Sequence, residues 1–220
     1  MMKLERMDDF FAARIDSYDA HMKRDIEGAS GFYGYTGSLL PSVTGSRVLD
    51  LGCGTGLELE EYFALNPGAA VTGIDLSEAM LNVLKAKFPE KNLTLIHASY
   101  FEVQLGEKLY DAAVSVESLH HFPLGMKASL YEKLHLALAE KGFFVLTDYF
   151  AESEQAEEEY FQNLSALKKE QGLSDGVLYH YDTPLTVNHE MDILHHAGFR
   201  NVRIMKQWGE STYTILARKD

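Results

Sequence analysis

Gly52, Gly54 and Gly56 stand at alternate positions just behind the apolar run 47–50. A strand that meets closely spaced glycines turns sharply, because glycine takes positive φ at no steric cost and lets another group touch the main chain. Residues 57–65 read as a helix, so unpaired N–H groups and the positive end of its dipole face that turn and suit an anionic group. Asp50 precedes the first glycine by two positions, and Cys53 sits inside the turn. About twenty residues further on, Asp75 closes a second apolar run, where a carboxylate can accept both hydroxyls of a sugar. Another group, Glu117-Ser118-Leu119-His120-His121, follows the apolar run 110–116. A histidine there can act as a base, since it titrates near neutral pH. Adjacent histidines point in different directions, so one of His120 and His121 is free to serve while the other hydrogen-bonds its loop. No further ligands stand at metal-binding spacing, and no metal is expected.

The glycine spacing separates two kinds of loop. A dinucleotide fingerprint, G-x-G-x-x-G/A, needs a third small residue where this chain has Leu57, and Gly56 falls one position early. The observed D-x-G-x-G-x-G, counted from Asp50, resembles motif I of the class I S-adenosylmethionine-dependent methyltransferases. Gly73-Ile74-Asp75-Leu76-Ser77 is similar to the acidic end of that family's second strand. The resemblance implies S-adenosylmethionine as cofactor and transfer of its methyl group to a small-molecule acceptor by in-line displacement. It also implies that Gly52, Cys53 and Gly54 line the methionine part, that Asp75 takes the ribose, and that Asp50 braces the loop. Leu76 and Met80 are apolar and flank the adenine; Tyr18, Gly56 and Val116 complete the expected cofactor set. Where the family places an acid for the adenine amino group, this chain has Ser99, whose hydroxyl can still accept, beside Tyr100, which can stack. Two other readings use the same kind of cleft: a protein that binds the cofactor without transferring from it, and a nicotinamide-dependent oxidoreductase. A cofactor-modifying enzyme like carboxy-S-adenosylmethionine synthase shares the fold, but its glycine loop differs.

These residues need a frame. From residue 47 onward strand and helix patterns alternate, the signature of a parallel sheet covered by helices on both faces. Strands are expected at 47–50, 70–74, 93–97, 110–116, 143–148, 200–206 and 212–218, with helices at 57–65, 77–88, 124–139, 152–171 and 186–197. The closing pair of strands favours a hairpin. The resemblance then implies a Rossmann-like, doubly wound α/β sheet of seven strands, mostly parallel with the last antiparallel, under a helical N-terminal cap. One domain spans 1–220: the cap over 1–40, the cofactor-binding half over 41–150, and an acceptor-side helix, loop and hairpin over 151–220. In the cap, Met7, Phe10, Phe11, Ile15, Tyr18 and Met22 recur at helical spacing. Residues 28–37 read as a flexible loop tied down by aromatics. Tyr33 and Tyr35 there, Tyr149 after the fifth strand and Tyr181 in the late loop are candidates for touching the acceptor. His195-His196 reads as structural or exposed.

Composition narrows the partners. The chain has 220 residues, 46% hydrophobic and 24% charged, enough for one domain with its own core. A formal net charge of −13 without a lysine or arginine cluster repels phosphate backbones, so nucleic acid is not the expected partner. No apolar run approaches a membrane span and no signal-peptide core opens the chain; with the single Cys53 unpaired, the expected compartment is the cytoplasm.

Overall fold

The computed structural model describes residues 2–220. Strands β1 (Arg47–Leu51), β2 (Ala70–Asp75), β3 (Asn92–His97), β4 (Tyr110–Val116), β5 (Leu138–Tyr149), β6 (Asn201–Trp208) and β7 (Thr212–Arg218) form one sheet in the order β3-β2-β1-β4-β5-β7-β6. The first five run parallel, while β7 pairs antiparallel with both β5 and β6. This is the expected seven-stranded Rossmann-like arrangement. Strand order reverses at β1, with β2 on one side and β4 on the other, so a cleft opens beyond their carboxyl ends.

Alternation along the strands divides the core into two layers. Leu49, Leu51, Ala113, Phe144 and Leu146 face one side, whereas Val48, Ala112, Val114 and Val145 face the other. The first layer packs under α6 (Leu124–Ala137) and α8 (Val187–His196), and the second under α3 (Ala29–Leu39) and α4 (Leu57–Leu65). Ser77 and Thr186 cap α5 (Glu78–Lys87) and α8 through their hydroxyls, as S/T N-caps do. Among the described residues no helix is long and apolar enough to cross a membrane.

Three expectations need correction. The cap is two helices, α1 (Met7–Ala13) and α2 (Ile15–Asp25), broken at Arg14, whose guanidinium lies 3.7 Å over the Phe10 ring and 2.9 Å from Glu5. Residues 28–37 fold mostly into α3 rather than a loop, because their glycines serve close packing: a Cβ on Gly37 would stand 2.5 Å from the Glu58 carbonyl of α4. Strand β5 begins at Leu138, where the helix was expected to continue, and its pairing with β4 shifts register between Tyr110 and Ala112. Finally, α7 (Glu154–Gln171) leads through the late loop to α8.

Candidate active site

The glycine turn is built as its residue types require. Gly52, Gly54 and Gly56 all have positive φ, at +73°, +47° and +73°. Gly56 opens α4, and its missing side chain leaves room for Leu84. The main chain at Gly54 is bare, since an added Cβ would find only the Tyr18 hydroxyl within 4 Å, at 3.9 Å. Asp75 ends β2 beside it. One of its oxygens accepts from Gly54 N at 2.9 Å and the other from Ser77 N at 2.8 Å. Each carboxylate oxygen keeps a second lone pair for a ligand hydroxyl. Burial pushes the Asp75 carboxyl above its usual range, and the two N–H bonds work against that shift.

Gly52, Gly54, Asp75, Leu76, Met80 and Tyr100 line a small cleft roofed by Met7, Phe11 and Tyr18 of the cap. The donor set fits an adenosyl sulfonium compound: bare backbone, a carboxylate for the ribose, and apolar Leu76 and Met80 for the adenine. Its volume is about 40 Å³, far below the roughly 300–1,000 Å³ of ligand pockets. Cofactor entry is therefore expected to displace the cap.

Other expected cofactor residues are placed differently. Cys53 turns into the sheet, filling the space that Gly73 leaves; a Cβ there would come within 2.7 Å of its Sγ. Val116 is buried in the core at the end of β4. The Ser99 hydroxyl accepts from Phe101 N at 3.3 Å, which commits it to its own turn. Tyr100 Oη instead meets Ser118 Oγ at 3.1 Å. Asp50 does not brace the loop by hydrogen bonds. Both its oxygens and Glu58 Oε1 are buried without a partner, and burial, with Glu58 nearby, pushes the Asp50 carboxyl far above its usual range.

A second cavity, about 830 Å³, opens beside the cleft. The two share Phe11, Tyr18, Glu117 and His121 as a common wall. Of the four candidate tyrosines, Tyr149 lines it and Tyr33, Tyr35 and Tyr181 do not. Tyr33 is buried against Phe32, and Tyr35 packs on Trp208.

His120 and His121 stand at the inner end of this cavity on a 3-10 turn, Leu119–His121. They do not point apart: the turn brings their rings to 4.0 Å. Asp148, near the end of β5, holds the turn. Its Oδ2 accepts from Leu119 N at 2.9 Å and His120 N at 3.1 Å, and its Oδ1 lies 2.5 Å from His120 Nδ1. Asp182, from the late loop, stands 3.1 Å from His121 Nδ1 and 3.6 Å from His120 Nε2. Burial alone would lower the His120 imidazolium, but the charges of Asp148, Asp182 and Glu117 outweigh it and raise it to about 9. His121, buried beside that cation, is lowered. Glu117 takes positive φ, +48°, at the end of β4. Its Oε1 is buried without a partner, and burial pushes the carboxyl up to about 8. Asp148 and Asp182 were not singled out from the sequence, and Glu117 was named only as the head of the histidine stretch. Asp148 carried one signal, an acid near the carboxyl end of an apolar strand; Asp182 carried none.

Comparison with known proteins agrees with this geometry. Residues 48–142 match the methyltransferase domain family. An 85-residue stretch is 42% identical to the ubiquinone biosynthesis O-methyltransferase of Dechloromonas aromatica, covering 37% of this chain and 36% of that enzyme. The chain thus spans little more than a third of the curated relatives it matches first. A putative O-methyltransferase from Nostoc punctiforme superposes with a TM-score of 0.71 at 20% identity, over 98% of this chain and 62% of that one. The 1,6-didemethyltoxoflavin-N1-methyltransferase of Burkholderia thailandensis, solved with its namesake ligand and S-adenosylhomocysteine, gives 0.63 at 19% identity, over 96% and 87%. The glycine turn and Asp75 lie within the stretch that matches the methyltransferase domain family, and the sheet order is that of the Rossmann-like methyltransferase fold.

Proposed function

We propose that this protein transfers the methyl group of S-adenosylmethionine to a nucleophilic atom of a small molecule held in the 830 Å³ cavity. The observation that carries the reading is the shared wall. Phe11, Tyr18, Glu117 and His121 border both the cofactor cleft and the larger cavity, so a methyl carbon and an acceptor atom can meet there. The sulfonium is already a strong electrophile with a neutral leaving group. The protein's task is alignment and exclusion of water, and alignment of this kind contributes several kcal/mol, on the order of 7–11 at best. The acceptor's proton leaves toward the polar end of the cavity, where His120 and His121 stand. A net charge of −13 favours a small acceptor over a nucleic acid, and the ubiquinone-pathway and toxoflavin relatives act on small molecules by name. The lone thiol of Cys53 suits the cytoplasm.

The test is transfer of labelled methyl from S-adenosylmethionine into a metabolite extract, followed by separation by size. Label in the small-molecule fraction is expected. Firm cofactor binding with label nowhere, or label only in protein or nucleic acid, would overturn the assignment.

A further inference from the structure

The inner end of the acceptor cavity gathers side chains from three distant stretches, and their atoms are of the kinds that bind transition metals. We propose that His120, His121 and Asp182 form a site for one divalent transition-metal ion. The proposal rests on the methyltransferase reading only for what the cavity is used for.

Spacing is the first argument. One ring nitrogen of each histidine and one Asp182 oxygen all lie within 4.8 Å of one another. The two nitrogen–oxygen separations to Asp182 are 3.1 and 3.6 Å, and ligands about 2.1 Å from one tetrahedral ion stand about 3.4 Å apart. Little rearrangement is needed to receive the ion.

Orientation is the second. Asp148 lies against His120 Nδ1 at 2.5 Å and accepts its N–H, so an incoming ion would displace the proton on Nε2, the nitrogen that faces Asp182 and the cavity. A carboxylate behind a ligating histidine fixes its tautomer in just this sense and strengthens it as a donor. The same Asp148 receives the Leu119 and His120 N–H groups, so the turn carrying both histidines is rigid.

Charge is the third. Glu117, Asp148 and Asp182 surround two imidazoles, and Lys127, the cation that bears on Asp148, is itself paired with Glu190 at 2.7 Å. Glu117 Oε1 is buried without a partner, and a Glu117 oxygen lies within 4.8 Å of a His120 ring nitrogen and an Asp148 oxygen. A dication would supply the balancing charge. Two imidazoles with carboxylates suit Zn²⁺, Fe²⁺ or Co²⁺ better than Mg²⁺ or Ca²⁺, which prefer all-oxygen shells. Coordination positions left open face the cavity, where an acceptor heteroatom bound to the ion loses its proton more readily.

The experiment uses the full chain stripped with a chelator and titrated with Zn²⁺ by calorimetry and with Co²⁺ by visible absorption. One equivalent per chain is expected. His121→Ala and Asp182→Ala should each weaken it by well over about tenfold, the loss that even an outer-shell partner causes. A His195→Ala/His196→Ala control, altering the exposed pair on α8, should leave it unchanged. Absence of a stoichiometric site, unchanged affinity in both cavity variants, or loss in the control overturns the proposal. If the cavity variants do not fold, nitrogen ligation of Co²⁺ in the unaltered chain decides: an all-oxygen shell overturns it. Titration of the same preparation with S-adenosylmethionine separates the two readings. Metal without cofactor binding sinks the methyltransferase assignment alone, and cofactor without metal sinks the site alone.

Discussion

Asp75 illustrates what a single carboxylate does at a strand end. It receives two backbone N–H groups that shape the glycine turn and keeps lone pairs for a ligand hydroxyl. Asp75→Ala should weaken S-adenosylmethionine binding by about 1–3 kcal/mol, the cost of leaving hydroxyls unpaired; calorimetry showing unchanged affinity in a folded variant would remove Asp75 from the ribose. The place of Asp75 beside the glycine turn was legible because the signal is local, a short apolar run ending in an acid at fixed distance from the glycines. Asp182 was not, since nothing near it in the chain announces that the late loop folds back onto His120 and His121. The same blindness covers Lys127, which lies buried on α6 and pairs at 2.7 Å with buried Glu190, itself bonded to the Tyr131 hydroxyl. Leu130, Leu134 and Leu138 marked that helix's inner face, and a lysine beside them reads as solvated. Lys127→Met leaves Glu190 charged and unpaired, so about 3–5 kcal/mol of stability should be lost. A fall of roughly 10 °C in Tm is expected by scanning calorimetry, and a fall under about 2 °C would show that Glu190 does not need the pair.

Helices α1 and α2 roof the cofactor cleft and tie two regions together. Their entry is bonded to the late loop, Met7 N to Leu178 O and His180 N to Glu5 O, each at 3.0 Å. On the other side, Asp19 of α2 accepts from Thr55 Oγ1 at 2.5 Å and from Lys87 Nζ at 2.8 Å, which latches the cap onto the glycine turn and α5. With only about 40 Å³ beneath it, cofactor exchange requires this latch to open. Asp19→Ala should therefore speed cofactor release several-fold while the sheet keeps its protection. Hydrogen exchange of residues 7–25 should slow when S-adenosylmethionine binds to the unaltered chain. Equal protection with and without cofactor, or an unchanged release rate in the variant, would show that the cap is not the gate. The cap was foreseen from helical spacing; α3 was not. Glycine-rich sequence has poor helix propensity, which predicts a loop. Here tertiary packing wins, because Gly37 lets α3 approach the α4 backbone and Gly31 makes room for Trp208.

The succession of apolar runs and helical stretches located the strands, which read as continuous apolar segments because helices cover both faces of the sheet, while the antiparallel last strand was implied by the resemblance. Neither says anything of charges that meet across the core. Asp50 at the end of β1 and Glu58 on α4 are eight positions apart, yet both carboxyls are buried with unpartnered oxygens. Burial raises both above the usual 3.8 and 4.5, and Glu58 adds to the rise at Asp50. Folded chains then hold protons here that unfolded chains release. The pair's contribution to stability is complete below the unfolded values, near pH 4, and is lost as pH rises through the raised folded values. The effect runs opposite to a salt-bridged carboxylate, whose contribution is lost on acidification. In a chain of net charge −13 no excess of cations relieves it at high pH. Glu58→Gln keeps a neutral hydrogen-bonding side chain beside Asp50 and removes one of the two titrations. Its Tm should match the unaltered protein near pH 5 and exceed it by a few degrees near pH 8, so that the gap widens steadily with pH. Melting curves from pH 5 to 9 measure this difference directly, with contributions from distant groups cancelling between the two proteins. A gap that closes as pH rises would mean that the pair is ionised and compensated in the fold, and the account of two carboxyls raised by burial would fail.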